Sequence, residues 1–286
     1  PAVAVVAGVD ESLGLTDAMA REFLDPRQVG KVAHSMRDML RQRVHLIACG
    51  YADCNDADRL AHDPIQKLLL DRDPIDGRSL ASQPTLSRFE NAATWRDLLM
   101  MAHRLAETVV DHHARRLGNR ANLITIDLDP TDDPTHGAQQ LSFFNSHYDC
   151  WCYLPTAGFL QFDNEPEQHL FGYVLRPGNA NAKLGAIGML RRILERVRKA
   201  FPRARLQVRL DGGFAGPQMF EFLEAQKVEY VVAMASNKKL KAIVEPLMAE
   251  SREMAACTGY TEHVYGECRY QAGSWNRERR VIYKAE

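Results

Sequence analysis

The sequence predicts a mixed α/β protein in which a helical N-terminal region precedes a mixed β-sheet flanked by helices. Three observations indicate this fold class. Apolar residues recur every three to four positions through residues 32–47 and again through 94–117, which is the period of a helix. From residue 122 the apolar period becomes two, as in a β-strand. Beyond residue 184 helical and strand patterns alternate, as they do in α/β folds.

The composition is that of an ordinary globular protein. The chain has 286 residues, of which 45% are hydrophobic and 26% charged, and this balance excludes disordered and collagen-like classes. At about 150 residues per domain, the length predicts two domains or one large domain with an insertion. No segment approaches the ~18 consecutive apolar residues of a membrane helix. Neither a Gly-x-Gly-x-x-Gly nor a Walker motif is present, so we expect a cytoplasmic protein with no membrane partner and no nucleotide cofactor.

Residues 1–120 are predicted to form a helical region that binds DNA. Pro84 marks the first turn of a short helix that lies between the two longer ones and follows small polar residues. Such a helix is able to present its N-terminal side chains to phosphates or base edges, as a recognition helix does. An ordinary capped helix on the surface of a bundle is the alternative. The candidate DNA-contacting residues in this region are Arg43, Gln83, Thr85, Ser87 and Arg88.

The first predicted strand, at residues 122–129, places two carboxylates on one face. Apolar and polar residues alternate along it, so that Thr125, Asp127 and Asp129 point to the same side. Two further strand patterns, at about 148–162 and 170–176, complete a three-stranded meander. This part of the chain therefore supplies one edge of the predicted sheet.

A basic amphipathic helix is predicted from residue 184. Its outer faces carry the further DNA-binding candidates Arg191, Arg192, Arg196 and Lys199, although a solvated helix face explains the same pattern. A strand at 205–210 then leads into Asp211. A helix at 217–226, a strand at 228–234 and a helix at 238–250 follow. Residues 260–286 return to strand-like patterns.

Two aspartates end predicted strands and are candidate metal ligands. In a sheet ordered third, second, first, fourth, fifth, the first and fourth strands are neighbours, so Asp129 and Asp211 would reach one divalent cation. Oxygen ligands select Mg²⁺ or Mn²⁺ over zinc, and two such ions clamp the attacking and leaving oxygens of a phosphodiester. Asp127 is the reserve candidate. The alternative is that these residues only form turns, which Asp does frequently.

The charge distribution supports a cation site that faces a polyanion. The formal net charge is −1 overall, but residues 1–120 carry −1, residues 121–182 carry −7 and residues 183–286 carry +7. An acidic centre beside a basic region is expected where metal ions and nucleic acid meet. Chance segregation on a solvated surface remains the alternative.

Several long motifs stand out along the chain, at residues 42–58, 80–91, 126–137, 143–155, 175–179 and 209–214. These motifs resemble those of bacterial insertion-sequence transposases of the DDE superfamily, in the group whose first motif reads Asp-x-Asp-x-Thr. The similarity extends over essentially the whole chain, and the motifs occur in the same order.

The resemblance implies a ribonuclease-H-like catalytic core that binds two Mg²⁺ (or Mn²⁺) ions and cuts and rejoins DNA at terminal inverted repeats. It assigns Asp129 and Asp211 as the first two catalytic carboxylates. It also implies a homodimer, a core at 121–255 and the start of a β-rich insertion at 256–286. The family's Tyr-x-x-Arg-x-x-x-Glu-x6-Lys motif, which carries the third carboxylate, is absent from the sequence.

We therefore expect an N-terminal portion of a transposase with little or no strand-transfer activity alone. A metal-dependent nuclease with the same core is one alternative, and a non-catalytic DNA-binding protein is another.

Overall fold

The computed structural model describes residues 2–286, with side chains from residue 4 onward. Within this range the chain forms ten α-helices and ten β-strands. The helices are α1 (Ala2–Leu13), α2 (Leu15–Ala20), α3 (Met36–Ala48), α4 (Ala57–Leu60), α5 (Pro64–Leu68), α6 (Gln83–Ala92), α7 (Trp95–Leu117), α8 (Ala186–Ala200), α9 (Pro217–Ala225) and α10 (Lys238–Thr258). The strands are β1 (Leu123–Pro130), β2 (Asp133–Pro134), β3 (Phe143–Asn145), β4 (Cys150–Tyr153), β5 (Thr156–Phe162), β6 (His169–Val174), β7 (Arg205–Leu210), β8 (Glu229–Val232), β9 (Val264–Tyr270) and β10 (Arg279–Ala285).

The main sheet has five strands in the order β6-β5-β1-β7-β8. Strand β1 pairs with β7 in parallel and with β5 antiparallel. Strands β7 and β8 are parallel, and β5 and β6 are antiparallel. The predicted mixed α/β class and the predicted strand order are therefore confirmed, since the meander forms one side of the sheet and the β-α-β units form the other.

The largest core lies between this sheet and helices α7, α8 and α9. Strand β1 contributes Ile124, Ile126 and Leu128, all buried, as the alternation predicted. Helix α8 faces them with Leu190 and Leu194, neither of which is accessible to solvent. The basic outer side of α8 is thus a consequence of burying its opposite side against the sheet.

A second core holds the N-terminal helices together. Met39 and Leu46 of α3 pack with Leu86 and Phe89 of α6. Helix α7 starts in a capping box in which the Thr94 side chain accepts a hydrogen bond from the Asp97 backbone and the Asp97 side chain accepts one from the Thr94 backbone. This helix packs against both cores, because Met101 joins the helical one and Val110 joins the sheet core.

Smaller sheets complete the fold. Strands β2, β4 and β3 form a three-stranded sheet in that order, and β9 and β10 form an antiparallel hairpin. The strand predicted at 148–162 is divided, because its first part joins the small sheet as β4 and its second part joins the main sheet as β5. None of the helices described between residues 2 and 286 combines the length and apolar character needed to cross a membrane.

Two helix boundaries differ from the sequence prediction. Helix α3 begins at Met36, after the Ser35 N-cap whose side chain accepts a hydrogen bond from the Asp38 backbone, so Val32 lies outside it. Helix α10 continues to Thr258 and ends at Gly259 in the left-handed conformation. The predicted end at residue 250 was wrong. Residues 251–258 lack a clear apolar period, so the sequence did not predict that they extend the helix.

His113, on α7, is a buried residue. Its ring stacks on Phe162 at 4.5 Å between centroids and lies 4.0 Å from the ring of His169. The Arg116 Nε donates a hydrogen bond of 3.1 Å to the His113 Nδ1, which must therefore be unprotonated. Burial, followed by the charges of His169, Arg116 and His112, lowers the pKa of His113 to about 4.

Because His113 is buried and neutral, we expect the free energy of unfolding to decrease in acid. Its pKa is near 6.5 in an unfolded chain and about 4 in the folded protein. Between these values the unfolded state binds more protons, so stability falls as pH decreases from about 6.5 to about 4, by up to about 3 kcal/mol. Urea unfolding across this range checks the prediction. We expect His113→Gln to remove that part of the dependence, and equal pH slopes for both proteins would contradict it.

Candidate active site

Asp129 and Asp211 lie side by side at one edge of the main sheet. In the parallel β1–β7 pair Leu128 is opposite Leu210, and each aspartate is the next residue along its strand. Both residues are exposed. The Asp211 Oδ1 accepts a hydrogen bond of 2.8 Å from the Gly213 backbone amide, which fixes this carboxylate at the start of a 3-10 turn (Gly212–Phe214). The sequence predicted this neighbourhood through the strand order.

The two carboxylates repel each other electrostatically. Partial burial raises the pKa of Asp129, and the negative charges of Asp211 and then Asp127 raise it further. Within residues 2–286 neither Asp129 nor Asp211 forms an ion pair with a basic side chain at 4.0 Å or less. The edge therefore carries two negative charges that no described side chain neutralises, and a divalent cation would relieve their repulsion.

Asp127 lies in a different environment. Its carboxylate accepts hydrogen bonds of 2.8 and 2.7 Å from the Arg209 guanidinium on β7. The Gln168 side chain donates a third, at 3.1 Å. Because Arg209 neutralises this charge across the strand pair, Asp127 is much less available to a metal than Asp129, and we retain only Asp129 and Asp211 in the proposal below.

Tyr148 is a neighbour of the carboxylates that the sequence did not identify. It lies in the turn between β3 and β4, and its hydroxyl donates a hydrogen bond of 3.2 Å to the Pro130 carbonyl. Burial raises the pKa of Tyr148, and the charges of Asp132, Asp129 and Asp211 raise it further. A phenol in a short turn carries no sequence signal of its own, so only the folding of the hairpin toward β1 reveals it.

The donor chemistry at this edge fits a hard divalent cation. Carboxylate oxygens are ligands that Mg²⁺ prefers, and this ion usually binds through one or two carboxylates together with water and substrate phosphate. Among the residues that the structure describes, no group of three or more His, Cys, Asp or Glu side chains forms a complete metal site. Asp129 and Asp211 thus supply two ligands, and the remaining positions are open to water and phosphate oxygens.

Arg43 was predicted to contact DNA, but its guanidinium donates hydrogen bonds to groups inside the helical region. The side chain is buried, and its Nε donates to the Glu90 carboxylate at 2.5 Å. Its terminal nitrogens donate to the Tyr51 and Ala52 carbonyls. This candidate is therefore corrected to a structural residue that links α3 to α6.

The four candidates on α6 differ in accessibility. Gln83 is the first residue of the helix and, like Thr85 and Ser87, is partly buried. The Thr85 hydroxyl bonds with that of Ser82, and the Ser87 carbonyl accepts from the Asn91 side chain at 2.8 Å. Arg88 is exposed, so it is the member of this group best placed to contact a phosphate.

The basic face of α8 is also divided between structural and free side chains. Arg196 donates to the His103 carbonyl at 2.7 Å and to the Glu107 carboxylate at 2.9 Å, so it joins α8 to α7. Arg191 lies 5.9 Å from the ring centre of Phe222 while remaining exposed. Arg192 and Lys199 are exposed as well. Three of the four candidates on α8 therefore remain accessible.

The chain is similar to known proteins. The family described as Transposase DDE domain group 1 matches residues 2–286. Among solved structures, the chain is similar to the Drosophila P element transposase strand transfer complex, with 9% sequence identity and a TM-score of 0.29. That match covers 74% of this chain and 48% of the other, so it spans about half of the other chain's length. The comparison with curated proteins gave no match.

Proposed function

This chain belongs to the group 1 family of transposase DDE domains, and we propose that it serves an insertion sequence by binding its terminal inverted repeats for metal-dependent DNA cleavage and strand transfer. One observation carries the proposal. Asp129 and Asp211 extend from adjacent parallel strands, and no described basic side chain pairs with either of them. Two carboxylates in this arrangement suit phosphodiester chemistry that depends on divalent cations.

Each residue at the edge has a distinct proposed task. Asp129 and Asp211 hold Mg²⁺ or Mn²⁺, and two such ions, when bound, polarise the phosphodiester and stabilise the attacking and leaving oxygens. The hydrogen bond from Gly213 keeps the Asp211 carboxylate in one orientation. Tyr148 lies beside the two carboxylates and is held there by the hydrogen bond from its hydroxyl to the Pro130 carbonyl.

The helical region, residues 1–120, is proposed to bind the repeats, with Arg88 as the exposed cation among its candidate residues. Residues 121–255 form the proposed catalytic core, and Arg191, Arg192 and Lys199 extend a basic surface from it. Residues 256–286 contain the β9–β10 hairpin of the proposed insertion. We further propose that the protein acts as a homodimer, because two ends of an element must be held together. We also propose that it acts in the cytoplasm.

Strand transfer requires more than two carboxylates. The described residues bring Asp129 and Asp211 to the edge but no third free carboxylate that completes a metal site there. We therefore propose that these 286 residues bind metal and DNA but join strands poorly on their own.

Mn²⁺ binding tests the proposal most directly. We expect the electron paramagnetic resonance signal of free Mn²⁺ to decrease on addition of the protein, and more strongly with a 30-base-pair duplex present, since phosphate oxygens add ligands. Asp129→Asn and Asp211→Asn should each weaken binding by about tenfold or more, on the scale of losing one charged ligand. The asparagine at 211 still accepts the bond from Gly213, so the turn is kept.

Glu253→Gln is the matched control, because Glu253 is an exposed carboxylate on α10. This variant should bind Mn²⁺ as the unmodified protein does. Binding that persists in both aspartate variants would refute the proposed site.

A further inference from the structure

A buried arginine organises the loop between β6 and α8. The Arg176 side chain is only 4% exposed. Its Nε donates to the Leu154 carbonyl at 2.8 Å, and its Nη1 donates to the carbonyls of residues 181, 182 and 184. Burial lowers the pKa of Arg176, and no carboxylate within the described residues lies within 4.0 Å of it. The guanidinium therefore holds backbone in place instead of pairing with an acid.

The loop that Arg176 holds packs against the turn that carries Asp211. A Cβ atom at Gly213 would lie 2.9 Å from the Cβ of Ala182. A Cβ atom at Gly216 would lie 2.8 Å from the Nζ of Lys183. Both glycines thus leave room for the loop, and the Lys183 ammonium lies over Gly216, the N-cap of α9, five residues after Asp211.

Lys183 is the first basic residue after an acidic segment of the chain. Residues 121–182 contain eight acidic residues and one basic residue, and that one is the buried Arg176. Lys183 is exposed and forms no ion pair at 4.0 Å or less within residues 2–286. An ammonium group with no ion-pair partner among the described residues therefore lies against the segment that follows Asp211.

We infer that Lys183 binds a backbone phosphate of the DNA strand held at Asp129 and Asp211. This inference rests on the proposed function and adds the residue that receives the DNA beside the metal ligands. An acidic edge repels a polyanion except where a cation is fixed beside it. A lysine supplies such a cation as a point charge for phosphate, and the Arg176 bonds keep its loop in position before DNA arrives.

A matched pair of variants tests the inference. Lys183→Gln removes the proposed contact. Lys227→Gln removes an exposed lysine from the segment that precedes β8, at the opposite end of the sheet from the two aspartates. Lys227 has a positive φ of 52°, and glutamine keeps a side chain there as lysine does. Lys183→Arg retains the charge.

Fluorescence anisotropy with a labelled 30-base-pair duplex, at fixed Mg²⁺ and increasing KCl, gives the salt dependence of binding. Each lost phosphate contact reduces the slope of log K against log salt by about 1. We expect this reduction for Lys183→Gln but not for Lys183→Arg or Lys227→Gln. Unchanged melting temperatures exclude a folding defect as the cause.

Acylation of lysines followed by mass spectrometry provides a second measurement on the unmodified protein. The duplex should protect Lys183 and leave Lys227 reactive. If the protein binds the duplex but Lys183 stays reactive and Lys183→Gln keeps the full slope, the inference is overturned while the proposed function stands. If the unmodified protein does not bind the duplex at all, both are overturned.

Discussion

Gly178→Ala is expected to destabilise the protein by about 3 kcal/mol or more, because a rigid backbone occupies the space that the methyl group needs. A Cβ atom at this position would lie 2.7 Å from the Phe143 carbonyl oxygen and closer still to that of Cys152. Neither strand is free to move, since β3 and β4 pair with each other. The clash is thus unlike one with a flexible side chain, which turns away.

Gly178→Ala should also make the β3–β4 hairpin beside the candidate site more mobile. The Gly178 amide donates to the Leu141 carbonyl at 3.3 Å, and its carbonyl accepts from the Asn145 side chain at 2.9 Å. These bonds join the Arg176 loop to the β3–β4 hairpin, whose turn carries Tyr148. We therefore expect Gly178→Ala to increase proteolytic cleavage within the hairpin.

Thermal and urea unfolding measure this prediction. Gly273→Ala is the control, because a Cβ atom there meets nothing within 4 Å and its φ lies outside the positive region. The control should change stability by less than about 0.5 kcal/mol. Equal stability of the two variants would show that the small sheet and the loop adjust more readily than their contacts indicate.

Phe162→Ala should cost about 3–5 kcal/mol, the range for emptying a large buried aromatic site. Phe162 is completely buried at the end of β5. Its ring lies 4.5 Å from that of His113 on α7 and 5.6 Å from that of Phe201 after α8. Removing it opens a cavity where the sheet meets two helices, and those helices cannot collapse into the space independently.

This substitution also has a second, independent readout. Water that enters the cavity would reduce the burial that lowers the pKa of His113, so we expect that pKa to rise from about 4 toward 6.5. Nuclear magnetic resonance titration of the His113 ring measures it. Phe162→Leu, which fills most of the volume, is the control and should produce a smaller shift. A large loss of stability with an unchanged pKa would mean that the ring stays dry.

The parts of the fold that follow from local periodicity were predictable from the sequence. Alternation along β1 predicted which of its residues face the core, and the amphipathic pattern of α8 predicted its buried side. The sheet order predicted that Asp129 and Asp211 would be neighbours, because Asp129 lies at the end of β1, Asp211 directly follows β7, and these two strands pair. These features depend on residues close together in the chain or on one topological rule.

Features that depend on contacts between distant residues were not predictable. The pairing of Asp127 with Arg209 requires the exact register of β1 and β7. The burial of Arg43 requires Glu90 to approach from another helix, and its charge alone indicated the opposite location. His113 likewise became a core residue only because α7 packs on β5 and β6. In each case the partner of a polar side chain lies far away in the sequence, so no local pattern predicts the contact.

Helix α7 has a consequence for how such proteins exchange parts during evolution. Because it is embedded in both hydrophobic cores, it belongs to the helical region and to the sheet at once. Recombination that joined the first 120 residues of one relative to the remainder of another would place a foreign helix against Phe171 and Ile193. Viable chimeras should therefore keep α7 with matching residues in both cores, whichever side of the helix the junction falls on.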